Sequence, residues 1–472
     1  MGNRISRRRH KDEAGMKRHD DTQQYIRSTI GEAFVVNPVR PLKRGAVTPF
    51  IPMDALSENG RAIERHESRK FTGSGTRFRN GDTLIARITP CLENGKTAFV
   101  CDLPEGVIAH GSTEYIVLSA REGITDPLFG YYLARTPEFR RYAIGHMEGT
   151  SGRQRVPASA IENYEIHLPP IDTQRSISRT LGALDDKIEL NRRTSQTLEA
   201  IAQAIFKSWF VDFDPVKAKI AALEQGEDPL RAAIRTISGK TDDELDQLPR
   251  EQYDELAATT ELFPDAMKES VLGEIPEGWK ASPLDQVANY MNGLALQKFP
   301  AEDSSDYLPV IKIAQLKAGN TTGSGRASTN IRPEYVIKNG DVLFSWSGSL
   351  EVDVWTAGAG ALNQHLFKVT SSTTPKWFYL YATKHHLPWF REIAATKATT
   401  MGHIQRKHLA DALIAVPPND LMKISSGIIS PLLEKHIFLR TQEKDLHKIR
   451  DHLLPKLLSG YLVDTAERNT TT

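Results

Sequence analysis

IDTQRSISRTLGALDDKIELNRRTSQTLEAIAQAIFKSWF, residues 171–210, carries apolar side chains at Ile177, Leu181, Leu184, Ile188, Leu198, Ile201, Ile205 and Trp209. Steps of three, four and seven keep such residues on one side of a helix. Gly182 is the only glycine in the stretch and no proline interrupts it, so one long helix is predicted. Asn191 and Ser195 fall inside the stripe. Polar residues in a helix seam cost stability and tend to fix register against a partner helix.

The partner lies in the same chain. Residues 419–458, NDLMKISSGIISPLLEKHIFLRTQEKDLHKIRDHLLPKLL, repeat the pattern with Ile428, Leu432, Leu439, Leu446, Ile449 and Leu453. Leu198, Ile201 and Ile205 align with Leu446, Ile449 and Leu453 at one shift (446 − 198 = 248). Both stretches follow a short β-like run ending in Pro-Pro, YEIHLPP at 164–170 and ALIAVPP at 412–418. An internal duplication outranks any local motif as a guide to architecture. Gly427 and Pro431 are expected to weaken the start of the second helix and Pro455 its end, since proline removes a backbone donor.

Outward from these helices the chain repeats again. Residues 22–170 hold short β-rich runs separated by Gly, Asn and Pro turns, then a helical segment with Leu128, Tyr131, Tyr132 and Phe139 facing inward. Residues 273–418 restart the pattern: FRNGDTLIARI (78–88) aligns with IKNGDVLFSWS (337–347), Gly81 with Gly340 (340 − 81 = 259). The shift changes from 259 to 248 across the repeat, so the frame agrees while the loops differ. Helix 1 is assigned to 171–215, an acidic connector with one or two short helices to 216–272, and helix 2 to 419–462. A basic leader (1–21, with Met16 as an alternative start) and a tail (463–472) are expected to be disordered.

A chain of 472 residues exceeds one ordinary core. Its 39% hydrophobic and 25% charged residues are those of a soluble globular protein. No apolar run approaches the roughly 18–20 residues that span a bilayer. The leader lacks the apolar segment of a signal peptide, and Met1-Gly2 with Ser6 is too short a pattern to carry a lipidation assignment. Cys91 and Cys101 cannot complete a zinc site by themselves and are expected to be reduced in a cytoplasmic protein. With a net charge of +1, DNA binding would have to come from local basic faces or from partner subunits.

Catalytic motifs are missing. There is no P-loop lysine motif, no HExxH and no acid-x-lysine after Pro264-Asp265. Neither Pro-Pro pair has the preceding Asn or Asp and the following aromatic of a methyltransferase turn. Gly73-Ser74-Gly75 and Gly323-Ser324-Gly325 read as loops rather than phosphate cradles. No catalytic residue and no metal ligand is assigned.

Recognition remains. The loop Gly149-Thr150-Ser151-Gly152-Arg153-Gln154-Arg155 is dense in groups that read bases. Arginine contacts guanine's acceptor edge bidentately, and glutamine contacts adenine's donor–acceptor pair. Its counterpart, residues 399–407, offers Thr400, His403, Gln405 and Arg406. A solvated loop explains either alone; its recurrence at one place in both halves favours DNA contact. A second surface would use Arg87, Thr89, Asn94 and Lys96, opposite Ser345 and Ser347, although Thr89-Pro90 and Asn94-Gly95 are also ordinary turn formers. Asn363 and His365 fit burial or groove contact equally. Trp209, Phe210 and Phe213 read as core anchors.

PCLENGK (90–96), LDDKIELNRR (184–193), FKSWFVDFDPVKAK (206–219), GEIPEGWK (273–280) and the Pro-Pro exits resemble the specificity subunit of type I restriction–modification systems, over about residues 22–462. The resemblance implies an α/β architecture: two mixed α/β target-recognition domains (22–170 and 273–418), pseudo-twofold related and separated by two long antiparallel coiled-coil helices. It implies that each domain reads half of a split, asymmetric site in double-stranded DNA. It further implies that the helices form a spacer and dock two methyltransferase subunits, with restriction/translocase subunits joining. The seam and docking residues would be Leu184, Ile188, Asn191, Leu198, Ile201, Ile205, Leu432, Leu439, Leu446, Ile449 and Leu453. No cofactor is implied for this chain; S-adenosylmethionine, ATP and Mg would belong to the partners. Forty helical residues span roughly 60 Å, enough to separate half-sites about 34–36 Å apart. The competing readings are a coiled-coil adaptor that binds no DNA, or a self-sufficient methyltransferase or nuclease.

Overall fold

In a computed structural model the described residues are 25–150, 152–303, 305–396 and 402–459. The leader and tail assignments, Ser151 and Thr400 lie outside them. The chain forms two compact units: one holds residues up to Asp186 together with those from Ile449 onward, the other Lys187–Lys448. Each long helix, Ile171–Phe210 and Asn419–Leu458, contributes a segment to both.

The first unit contains two four-stranded sheets. One is antiparallel, in the order Phe34–Val36, Tyr115–Ala120, Asp82–Ala86, Thr97–Phe99. The other runs Glu67–Lys70, Val47–Ile51, Ala109–Gly111, Thr76–Phe78, with a parallel pair at its centre. Ile51, Phe78, Leu84, Tyr115 and Val117 fill the layer that both sheets share. Tyr131, Tyr132 and Phe139 pack on the other side of the antiparallel sheet with Ile177, Leu181 and Leu454 of the long helices. The lobe opens and closes through neighbouring strands, Ile26–Thr29 against Glu165–Leu168.

The second unit repeats this plan. Its sheets are ordered Asn289–Asn292, Leu366–Thr370, Val342–Ser345, Val352–Val354, and Arg326–Ala327, Leu308–Ile311, Gly360–Leu362, Val336–Ile337. The parallel pair again sits at the centre of the second sheet. Lys280–Pro283 and Leu413–Val416 form the entry and exit pair. The helical segment differs. In the first lobe it breaks into Pro127–Arg135 and Pro137–Gly145, with Thr136 capping the second piece. In the second it is a single helix, Lys376–Thr396, with Pro388 inside.

Residues 214–261 form four helices, Asp214–Gln225, Pro229–Ser238, Asp242–Asp246 and Arg250–Glu261, not the one or two expected of a connector. Part of their acidity is met internally: Arg231 binds Asp242 and Asp246, and Arg235 binds Asp242. Val216 and Phe263 enter the second unit's core beside Trp209, Phe210 and Trp279.

Both long helices are continuous over 40 residues, through Gly427, Pro431 and Pro455. Their buried positions recur every seven: Leu181, Ile188, Ser195, Ala202 and Trp209 in the first, Met422, Ile429, His436 and, two periods on, Arg450 in the second. A period of seven is what keeps one helix face turned to a neighbour over many turns. Asn191 and Leu439 are buried with them, whereas Leu184, Leu198, Ile205, Leu432, Leu446 and Leu453 flank the seam half-buried. Two assignments are corrected: Ile201 is 44% exposed and Ile449 48%, because the seam runs through their neighbours Ala202 and Arg450.

The pairing is antiparallel within each unit. In the second, Asn191 Nδ2 donates to Gln442 Oε1 at 2.7 Å, and the Ser195 hydroxyl lies 2.9 Å from His436 Nδ1. Within the first, Arg450 Nη1 donates to Asp185 Oδ1 at 2.8 Å with both side chains almost wholly buried. Burial alone would loosen Arg450's proton; the Asp185 carboxylate outweighs it and raises the pKa. At the duplicate positions, 248 residues away, stand Leu433 (for Asp185) and Ala202 (for Arg450), both buried and apolar.

Candidate nucleic-acid interface

In the first lobe the strand Asp82–Ala86 runs into a turn with a cis Thr89–Pro90 bond, and the loop before the exit strand folds back onto it. Ile88 bridges Arg155, the Thr89 amide donates to the Gln154 carbonyl at 3.0 Å, and the Val156 amide donates to the Arg87 carbonyl at 2.9 Å. Glu148 and Arg155 exchange both backbone hydrogen bonds at 2.9 Å, closing the loop at its base. Gly149 and Gly152 take positive φ (114° and 82°), which bends the tip at little steric cost. The fold thus brings Arg87, Thr89, Arg153, Gln154 and Arg155 together.

Their roles separate. Arg155 is clamped to Glu114 through Nη2–Oε1 (2.7 Å) and Nε–Oε2 (2.9 Å), a fork that holds the loop base. Arg87 is half-buried with its Nε unpartnered. Arg153 is exposed and Gln154 half-exposed at the tip. Asn94 donates to Glu58 at 3.0 Å and Lys96 to the Met53 carbonyl at 3.2 Å, so both stand apart from the tip.

The second lobe builds the same junction. Ser347 bridges His403, the Gly348 amide donates to the Gly402 carbonyl at 2.7 Å, and the Ile404 amide donates to the Trp346 carbonyl at 2.9 Å. Ile88 and Ser347 differ by 259 positions (347 − 88) and Arg155 and His403 by 248 (403 − 155), the two shifts read from the sequence. Ser345, Ser347 and Asn363 are corrected to scaffold: each is at most 3% exposed. Ser345 donates to the Ser349 carbonyl, Ser347 lies 3.0 Å from His365 Nδ1, and Asn363 donates to Gln364 Oε1, so no surface is left for a base edge. Arg406 donates to the Tyr290 carbonyl at 3.0 Å and lies over the Phe367 ring. Gln405 caps the helix Arg406–Asp411 with its side chain exposed; His403 and His365 are half-buried, each with its ring against Trp346.

Sequence reasoning missed Glu114, whose only signal was its place in GSTEYIVL ahead of an apolar run. Among the described residues no group of His, Cys, Asp and Glu has the arrangement of a metal site, and no helix is long and apolar enough to cross a membrane.

Two lobes of one topology, each presenting its own loop on a fixed turn, define a duplicated recognition protein. The chain belongs to the type I restriction modification DNA specificity domain family, whose profile matches residues 43–200 and 276–446. It is a specificity subunit of that kind, the recognising and non-catalytic component of a type I system. The type I restriction enzyme HindI specificity subunit of Haemophilus influenzae is 30% identical over 404 residues, 81% of this chain and 87% of that one. The MjaIX specificity subunit of Methanocaldococcus jannaschii is 25% identical over 70% of this chain and 68% of its own. The crystal structure of the S subunit from M. genitalium shares the fold, with a TM-score of 0.50 at 13% identity, covering 93% of this chain and 98% of that one.

Proposed function

We propose that the chain reads a bipartite, asymmetric site in duplex DNA, one half-site per lobe, and leaves cofactors and chemistry to its partner subunits. The observation that carries this is the junction built twice on sheets of the same strand order with different groups at the surface: exposed Arg153 with half-exposed Gln154 in one lobe, exposed Gln405 with half-buried His403 in the other. A common frame with unlike tips suits two readers of unlike sequence. Gln154→Ala, in a complex reconstituted with methyltransferase subunits, is expected to relax preference in one half-site, and Gln405→Ala in the other. Each good bidentate contact contributes about 1–3 kcal/mol of discrimination. Methylome mapping reads both; relaxation of the same half-site by both variants, or of neither, refutes the assignment.

Docking of two methyltransferase subunits has its own support. Leu190 and Phe438 are 57% and 53% exposed and stand 248 positions apart (438 − 190), as do Ile201 and Ile449. Exposed apolar residues at duplicated positions offer two equivalent patches on the long helices. Leu190→Asp is expected to lower the number of methyltransferase subunits bound, measured as the mass of the complex, and Leu190→Asp with Phe438→Asp to lower it further. Full assembly by the double variant would remove this surface from consideration. The restriction subunits then join the complex so formed.

A further inference from the structure

In the first lobe, the edge strand Glu67–Lys70 is exposed along its whole length. It pairs with Val47–Ile51, and the ladder is extended by the Gly45 amide donating to the Phe71 carbonyl and the Phe71 amide donating to the Ala46 carbonyl, both at 2.8 Å. This register sets Lys43 and Arg44 beside Lys70 and the turn Thr72-Gly73-Ser74-Gly75.

The turn is fixed by its glycines. A Cβ on Gly75 (φ +106°) would lie 2.4 Å from the Gly111 carbonyl oxygen, so the backbone there rests against the strand Ala109–Gly111. A Cβ on Gly73 (φ +104°) would touch the Arg44 stem at 3.8 Å, and one on Gly45 (φ +94°) the Lys70 stem at 3.7 Å. The Arg44 side chain therefore lies beside bare glycine backbone of the turn, and the Lys70 side chain beside that of Gly45 on the facing segment. Neighbouring charges are already spent: Arg69 is paired with Glu67 and stacked on Phe50, and Arg65 is paired with Asp54. Among the described residues Lys43, Arg44 and Lys70 are exposed and their side chains form no ion pair or hydrogen bond. Thr72 and Ser74 add two exposed hydroxyls.

A mononucleotide cradle of the Gly-rich kind places phosphate at the start of a helix. Here the turn leads into the strand Thr76–Phe78, with no helix dipole to hold a terminal phosphate. Loose cations with hydroxyls on a stiff turn suit internucleotide phosphates, which are held by Lys, Arg, Ser and Thr without reading sequence. We propose that the turn Thr72–Gly75 with Lys43, Arg44 and Lys70 is a contact site for the phosphate backbone of duplex DNA, positioning the first lobe without specifying bases. It rests on the chain binding DNA as proposed above.

The test uses the full chain assembled with its methyltransferase subunits, binding target and scrambled duplexes over a series of KCl concentrations. Removing one neutralised phosphate lowers the slope of log K against log salt by about 0.9. Lys43→Ala/Arg44→Ala/Lys70→Ala is expected to lower it by roughly two to three such steps, weakening both duplexes alike and keeping the target-to-scrambled ratio. Lys43→Arg/Lys70→Arg is expected to keep the wild-type slope. A triple variant with the wild-type slope, beside wild type that binds its target, overturns this site alone; so does a changed base preference. Wild-type complex that shows no salt-dependent binding to either duplex overturns the DNA-reading proposal itself.

Discussion

Arg450→Ala is expected to destabilise the first unit by about 3–5 kcal/mol, because it leaves the Asp185 carboxylate buried without its counter-charge. Arg450 also donates to the Asn59 carbonyl at 2.9 Å, and Tyr132 donates to Asp185 Oδ2 at 2.7 Å, so one guanidinium ties helix, loop and lobe together. Asp185→Leu/Arg450→Met should recover most of the loss, since two apolar side chains of similar volume replace a desolvated pair at little cost. The phenol of Tyr132 then lacks an acceptor, worth about 1–3 kcal/mol, which keeps recovery incomplete. A chain of two units does not unfold in one step, so hydrogen exchange in peptides spanning 126–135 and 449–458 is the measurement. Equal loss of protection in the single and double variants would show that the charge pair is not the cause.

Phe210→Ala should cost the second unit about 3–5 kcal/mol, the range for emptying a buried aromatic site. Phe210 is fully buried at the end of the first long helix, 5.3 Å from the Trp377 ring, 5.8 Å from Trp279 and 5.9 Å from Phe378. Those partners come from the helix Lys376–Thr396 and from the chain just before the second lobe's entry strand, so the ring pins the helix end to the lobe. Phe210→Leu retains most of the volume and should cost less than half as much. Thermal unfolding of both variants, with tryptophan fluorescence as the probe, separates a packing role from a helix-end effect; identical midpoints for Leu and Ala would contradict the packing role.

The duplicated frame was legible because it is written in spacing. Gly81-Asp82 and Gly340-Asp341, the Pro-Pro exits and the apolar heptads all survive in both copies. The exact seam was less legible: Ile201 and Ile449 are the larger apolar residues, yet Ala202 and Arg450 are buried. Residue type alone cannot show that a short alanine and a paired arginine fit where helices approach. The two loops do stand at matching junctions in the two lobes, but Ser345, Ser347 and Asn363 resemble surface groups until their neighbours close over them. Lys43 and Arg44 stand far from Lys70 in the sequence, and only strand pairing gathers them.

The unequal ends of the helix seam have a consequence for how copies of this polypeptide keep apart. Laid together in the observed register, two first repeats would each set Asp185 against Ala202, and two second repeats would set Arg450 against Leu433. Each such match strands a lone ion in a dry interface, at several kcal/mol apiece. Like thus rejects like. A gene that doubled itself has acquired handedness in its own embrace, so that a strand of ancestry shared by both halves no longer permits either to stand in for the other.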